Sequence, residues 1–137
     1  MKIKLDKGAY EPIRGHEEDA GLDLRTPIDV TVPKGGSVAI DTLTAVEIPP
    51  NHYGKLESKS GLNVKHGVVS LGGVIDCGYD ASIVVKLYNL GDEDYHFKAG
   101  DKIVQLLIIP CHISPVEVVD EIYSGERGSN GFGSTGA

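Results

Sequence analysis

Val30-Thr31-Val32-Pro33-Lys34-Gly35-Gly36-Ser37-Val38-Ala39-Ile40 is the stretch that decides the fold class of this chain. Two short β-branched runs flank a Pro-Lys-Gly-Gly turn, which is the grammar of strands joined by tight turns. The pattern continues on both sides. Ala45 to Ile48 runs into Pro49-Pro50-Asn51, and further strands are expected over Tyr53 to Glu57, Val68 to Leu71, Ser82 to Tyr88, Tyr95 to Phe97, Lys102 to Ile109 and Val116 to Val119. Ser60 to His66 can make at most one short helix, with Ser60 as its cap, Leu62 on one face and Gly67 as its stop. Ile103 to Ile109 is apolar apart from Gln105, so both faces of that strand are expected to be covered, in a core or at a subunit contact. A buried Gln there needs partners.

Length and composition agree with this reading. The 137 residues, 18 of them Gly and 7 Pro, suit one compact all-β domain rather than two. A formal net charge of -7 opposes wide contact with a nucleic-acid backbone, which requires clustered Lys and Arg. It leaves room for one small anion held by backbone N–H groups and a divalent cation. Cys77 and Cys111 form no CxxC pair, so the expected compartment is reducing. Met1 leads directly into the alternating Lys2-Ile3-Lys4-Leu5, without a signal-like or long apolar segment, so a cytoplasmic protein with no membrane association is expected.

After Ser124 the apolar pattern stops, which divides the chain into an all-β domain over residues 1 to 124 and a glycine-rich arm over 125 to 137. The arm combines glycines and hydroxyls with Arg127 and one of only two Phe in the chain, Phe132. Open N–H groups, phosphate-compatible donors and a flat ring together read as a lid over a nucleotide; a plain linker would need neither Arg nor Phe. Gly73-Val74-Ile75-Asp76-Cys77-Gly78-Tyr79 sets a carboxylate at the mouth of a turn directly after an apolar strand, with an aromatic three residues on. Asp76 there could orient and deprotonate a water, or merely cap the turn. Ser58-Lys59-Ser60-Gly61-Leu62 offers a cation, a hydroxyl and open N–H groups for an anion, and Ala20-Gly21-Leu22-Asp23-Leu24 a further carboxylate in a turn. The five His have no metal-ligand spacing, and no phosphate-binding Walker loop is present.

In this order, AGLDL at 20 to 24, SKSGL at 58 to 62, GVIDCGY at 73 to 79, GDKIVQL at 100 to 106 and RGSNGFGSTG at 127 to 136 resemble the five motifs of trimeric dUTP pyrophosphatases. The resemblance implies a jelly-roll-like β-barrel assembled as a homotrimer. Three sites would lie between subunits: the Asp76 segment from one chain, Asp23, Ser60 and Gln105 from a second, and an exchanged C-terminal arm from the third. It also implies the reaction of dUTP with water to give dUMP and pyrophosphate, with Mg2+ on the phosphates and in-line attack at the α-phosphorus. Such an enzyme keeps uracil out of DNA and supplies dUMP for thymidylate synthesis.

Carried over by resemblance, Asp76 orients the attacking water, Gln105 helps hold it, and Asp23 supports the metal, which is otherwise held by phosphates and waters. Lys59, Ser60 and Gly61 grip the phosphate chain. Backbone groups from Val68 through Gly73, Val74 and Ile75 border the uracil, and Tyr79 lies against the deoxyribose, where a 2'-hydroxyl would collide. Arg127 reaches the γ-phosphate, Phe132 stacks on uracil, and Gly133, Ser134 and Thr135 wrap the terminal phosphates. Two departures stand out: Lys59 where the family usually has Arg, and Asp80-Ala81 after the aromatic. The related dCTP deaminases are disfavoured because Lys86 stands where their proton-shuttling Glu would align. A non-catalytic dUTP-binding module with a regulatory protein partner, as is known for some phage-encoded members, would not need every catalytic residue type kept.

Overall fold

The computed structural model describes residues 1–123 together with Gly125 and Gly128. Eleven strands and one helix follow in chain order: β1 (Ile3–Leu5), β2 (Leu22–Arg25), β3 (Val30–Val32), β4 (Ser37–Asp41), β5 (Thr44–Val46), β6 (His52–Glu57), α1 (Ser60–His66), β7 (Val68–Ser70), β8 (Val74–Ile75), β9 (Val84–Asn89), β10 (Tyr95–Phe97) and β11 (Lys102–Pro110). All strand pairs are antiparallel, in sheets ordered β2-β11-β6-β8, β4-β9-β7, β1-β5 and β10-β3. They wrap one apolar core that includes Leu24, Val32, Ile40, Leu56, Ile83, Leu87, Ile103 and Leu106. The all-β, jelly-roll-like expectation holds, with one short helix.

The diagnostic stretch is instructive in its pairing. β3 and β4 form where the runs of Val30 and Val38 lie, but the turn between them does not close a hairpin: β3 pairs with β10 and β4 with β9. Asn89, fully buried at the end of β9, takes the place of a hairpin partner. Its amide donates to the carbonyls of Val32 (2.9 Å) and Glu93 (2.8 Å), while its backbone N–H and carbonyl bond Gly36 and Gly35. Gly35 occupies a positive φ of 68° within that clamp.

Three local expectations are corrected. Ala20 to Leu24 is not a turn, because Leu22, Asp23 and Leu24 form most of β2; all three are buried, so the period-2 signal of a strand is lost. Ser60 does not cap α1. Lys59 is the N-cap residue and makes no side-chain cap bond, while Gly67 ends the helix in the left-handed region at φ 67°, as expected. Val116 to Val119 is not a strand: Val116 is 92% and Val118 95% exposed, and no strand edge among the described residues pairs with it.

Candidate functional site

β11 is the axis of the site. It lies between β2 and β6, and the register puts Gln105 opposite Asp23 on one side and Glu57 on the other. Opposed residues in adjacent strands share a face. Asp23, Gln105 and Glu57 therefore form one row across three strands. An isolated bridge with Ile13 pins Asp23 from its other edge through two backbone bonds. Gly21 has no side chain because the space a Cβ would fill is taken by Gln105.

Gln105, half-buried, donates from Nε2 to the Ser58 carbonyl at 3.1 Å, which supplies the partner that a polar group in an apolar strand demands. Ser58 in turn is bound to β7: its Oγ accepts from the Ser70 N–H at 2.9 Å and donates to the Ser70 carbonyl at 3.2 Å. This brace aims the Ser58-Lys59-Ser60-Gly61 segment at Asp23. Ser60 and Gly61 are exposed at the mouth, and a Cβ added at Gly61 would meet only open space.

Asp23 carries the strongest electrostatics. Its side chain is 8% exposed, and each oxygen has its own cation: Lys59 Nζ at 2.5 Å from Oδ1 and Lys102 Nζ at 2.9 Å from Oδ2. Lys102 is three residues from Gln105 and in a regular strand would point to the opposite face. A register shift between Lys102 and Val104 changes that parity and brings Lys102 round to Asp23. Sequence reasoning missed both Lys102 and the bracing role of Ser58. A bulge has no motif of its own, although Lys102 lies inside a segment already singled out.

The second group lies elsewhere. β8 pairs Val74 with Lys55 and Ile75 with Gly54, and Gly73 accepts the Leu56 N–H at 2.9 Å. Gly73 sits at φ 117°, and a Cβ there would come within 2.8 Å of Leu56 Cδ1. With Tyr53, Lys55 to Glu57 and Ser70 to Gly72 it lines a cleft of about 300 Å³. Asp76 follows β8 directly; its carbonyl accepts the Tyr79 N–H at 3.1 Å. The turn is thus closed by backbone, and the exposed carboxylate is left to solvent rather than capping it. Tyr79 is 44% exposed, donates its hydroxyl to the Ser82 carbonyl at 3.1 Å, and borders a larger cleft of about 490 Å³ beside Lys2 to Lys4 and Ala45 to Ile48.

Glu57 and Ser70 border both groups, but within one chain Asp76 stands away from Gln105. Asp76 is one residue past Ile75, which pairs with Gly54, while Gln105 pairs with Glu57 on the far side of β6, a separation of about 15 Å from ordinary strand spacings. Arg127, Phe132, Gly133, Ser134 and Thr135 lie outside the described residues. Among the described residues no three His, Cys, Asp or Glu cluster as a metal cage. Asp23 has carboxylate oxygens of the kind a divalent cation takes, but both are occupied here, Oδ1 by Lys59 and Oδ2 by Lys102.

A deoxyuridine 5'-triphosphate nucleotidohydrolase of Paramecium bursaria Chlorella virus 1 is 41% identical over 133 residues, spanning 97% of this chain and 94% of its own. Among solved structures, a mutant dUTPase of Staphylococcus bacteriophage 80alpha with dUpNHpp superposes with a TM-score of 0.88 at 30% identity, covering 99% of this chain and 98% of that one. A mutant dUTPase from phage phi11 of S. aureus, described with a structural Mg(II) ion, gives a TM-score of 0.81 at 27% identity, covering 90% and 98%. The dUTPase family model matches residues 9–136, through both groups of site residues and on into the glycine-rich arm. Motif order, fold and sequence relatives thus converge, and the chain belongs to the dUTPase family.

Proposed function

We propose that the protein is a metal-dependent dUTP diphosphatase, releasing dUMP and pyrophosphate. The observation that carries the reading is the row formed by Asp23, Gln105 and the braced Ser58-Lys59 segment, in a chain of this family. A water held by Gln105 and Asp76 attacks the α-phosphorus in line and gives its proton to the Asp76 carboxylate; the new P–O bond forms as the bond from that phosphorus to the bridging oxygen breaks, and pyrophosphate leaves. Lys59, Ser60 and Gly61 hold the phosphate chain, and Mg2+ supplies charge neutralisation along it. Lys59 offers a point charge rather than the planar fork of Arg, so its grip is more easily reoriented.

Uracil is assigned to the cleft lined by Gly73 and Val74, with Ile75 next in β8, where backbone groups select its edge, and deoxyribose to Tyr79. The arm, with Arg127 on the γ-phosphate, Phe132 on the base and Gly133, Ser134 and Thr135 around the phosphates, closes the site. Because Asp76 and Gln105 lie apart in one chain, the complete site is assigned to a homotrimer. Two further observations support this. Leu107, Ile108 and Ile109 are only half-buried, and Val116 to Val119 has the composition of a strand with no partner among the described residues, as exchange of the C-terminal segment requires.

No helix among the described residues is long and apolar enough to cross a membrane. The free thiols Cys77 and Cys111 suit a reducing compartment, to which we assign the protein as cytoplasmic. Pyrophosphate release from a panel of dUTP, UTP, dCTP and dTTP, with and without Mg2+, tests substrate and metal together. Magnesium-dependent release from dUTP alone is expected; no release from dUTP sinks the proposal. Sedimentation of the protein tests the trimer.

A further inference from the structure

We infer that Lys102 is a positioning residue of the triphosphate site, one that carries the charge of Asp23 so that Lys59 can leave it for the substrate. The inference rests on the dUTP diphosphatase reading and deepens it. Asp23 is a single charge, nearly enclosed, yet it holds two ammonium groups, Lys59 at 2.5 Å and Lys102 at 2.9 Å. The three together carry one surplus positive charge, which an arriving polyphosphate would satisfy.

Lys59 is the cation next to Ser60 and Gly61 at the open mouth, and its long flexible stem can turn outward. With Asp23 as its sole partner it could not do so freely, because a nearly enclosed carboxylate left unpaired is strongly disfavoured. Lys102 removes that obstacle. It approaches the other oxygen, Oδ2, from β11, so Lys59 can depart without breaking the Lys102 contact. The bulge between Lys102 and Val104 is then explained by function, since without it Lys102 would face away from Asp23. Arg25, next in β2 to Leu24, does not duplicate the role: its Nε donates to the Gly100 carbonyl at 2.6 Å and its guanidinium stacks 4.9 Å from the Tyr10 ring.

The test measures calorimetric binding of α,β-imido-dUTP and of dUMP, at fixed Mg2+, to wild type, Lys102→Met, Lys102→Arg, Asp23→Asn and Asp23→Asn with Lys102→Met. Thermal melts and sizing confirm that each variant is folded and assembled. Lys102→Met should weaken analogue binding about tenfold, with dUMP affected much less, and Lys102→Arg should restore it. In the Asp23→Asn background, where no charge remains to be carried, Lys102→Met should change analogue binding less than about twofold. An equal loss in both backgrounds would mean that Lys102 touches the phosphates itself, and would overturn the inference. So would equal losses for dUMP and the analogue, the mark of a general structural defect. Failure of wild type to hydrolyse dUTP overturns the underlying reading instead, and is read separately from the cycle.

Discussion

At the scale of single residues, Asp76 and Gly73 show how differently two neighbours in one motif are constrained. Asp76 follows β8 with its carboxylate in solvent and its carbonyl in the turn, so its side chain has no structural duty that the turn would miss. Asp76→Asn should therefore lower turnover about 10²–10⁴-fold while leaving dUTP-analogue binding and melting temperature close to wild type. Wild-type turnover in that variant would remove Asp76 from the chemistry. Gly73 is fixed twice, by φ 117° and by Leu56 behind it. Gly73→Ala should cost about 1–3 kcal/mol of stability by denaturant melts, and should weaken nucleotide binding because the cleft it lines is displaced. Asp23 belongs to a third kind: enclosed and doubly paired, it was recognisable by its motif, but its two cations were not.

Among elements, β11 does the most. Its first half buries Ile103, Val104 and Leu106 in the core, and its register sets Gln105 between Asp23 and Glu57. Leu106→Ala should destabilise the protein by about 2–5 kcal/mol, measured by chemical denaturation, since the core around it cannot fully collapse. The helix adds little of its own; α1 is seven residues long and buries none of them fully, and it serves to carry the chain from the Lys59 segment to β7. Strand runs such as β6, β9 and β11 could be read from sequence because their side chains face consistent environments. β2 could not, because a buried Asp between two buried Leu erases the alternation. Val116 to Val119 failed in the opposite sense: it has the side chains of a strand but, among the described residues, no backbone to pair with.

For the whole molecule, Asp76 and Gln105 stand about 15 Å apart by strand spacing within one chain, which is why the proposed site is assigned to more than one copy. The arm belongs to this scale too. Deleting residues 128 to 137 should leave the assembly and its melting temperature intact, while lowering kcat/KM for dUTP by about 10²-fold or more through loss of closure. A truncated protein with full activity would count against the lid. By itself the sequence determined the all-β class and the helix with its glycine stop, and it marked Asp23, Lys59, Gln105 and Asp76 as the candidates for chemistry, because turn residues, β-branching and ordered motifs are local properties. Tertiary structure alone decided which strands pair across the Pro33–Gly36 turn, that Asp23 lies inside a strand, that Lys102 joins Lys59 on it, and that Asp76 is remote from them. Those facts depend on register, a bulge and buried hydrogen bonds between residues far apart in sequence, and no local pattern encodes them.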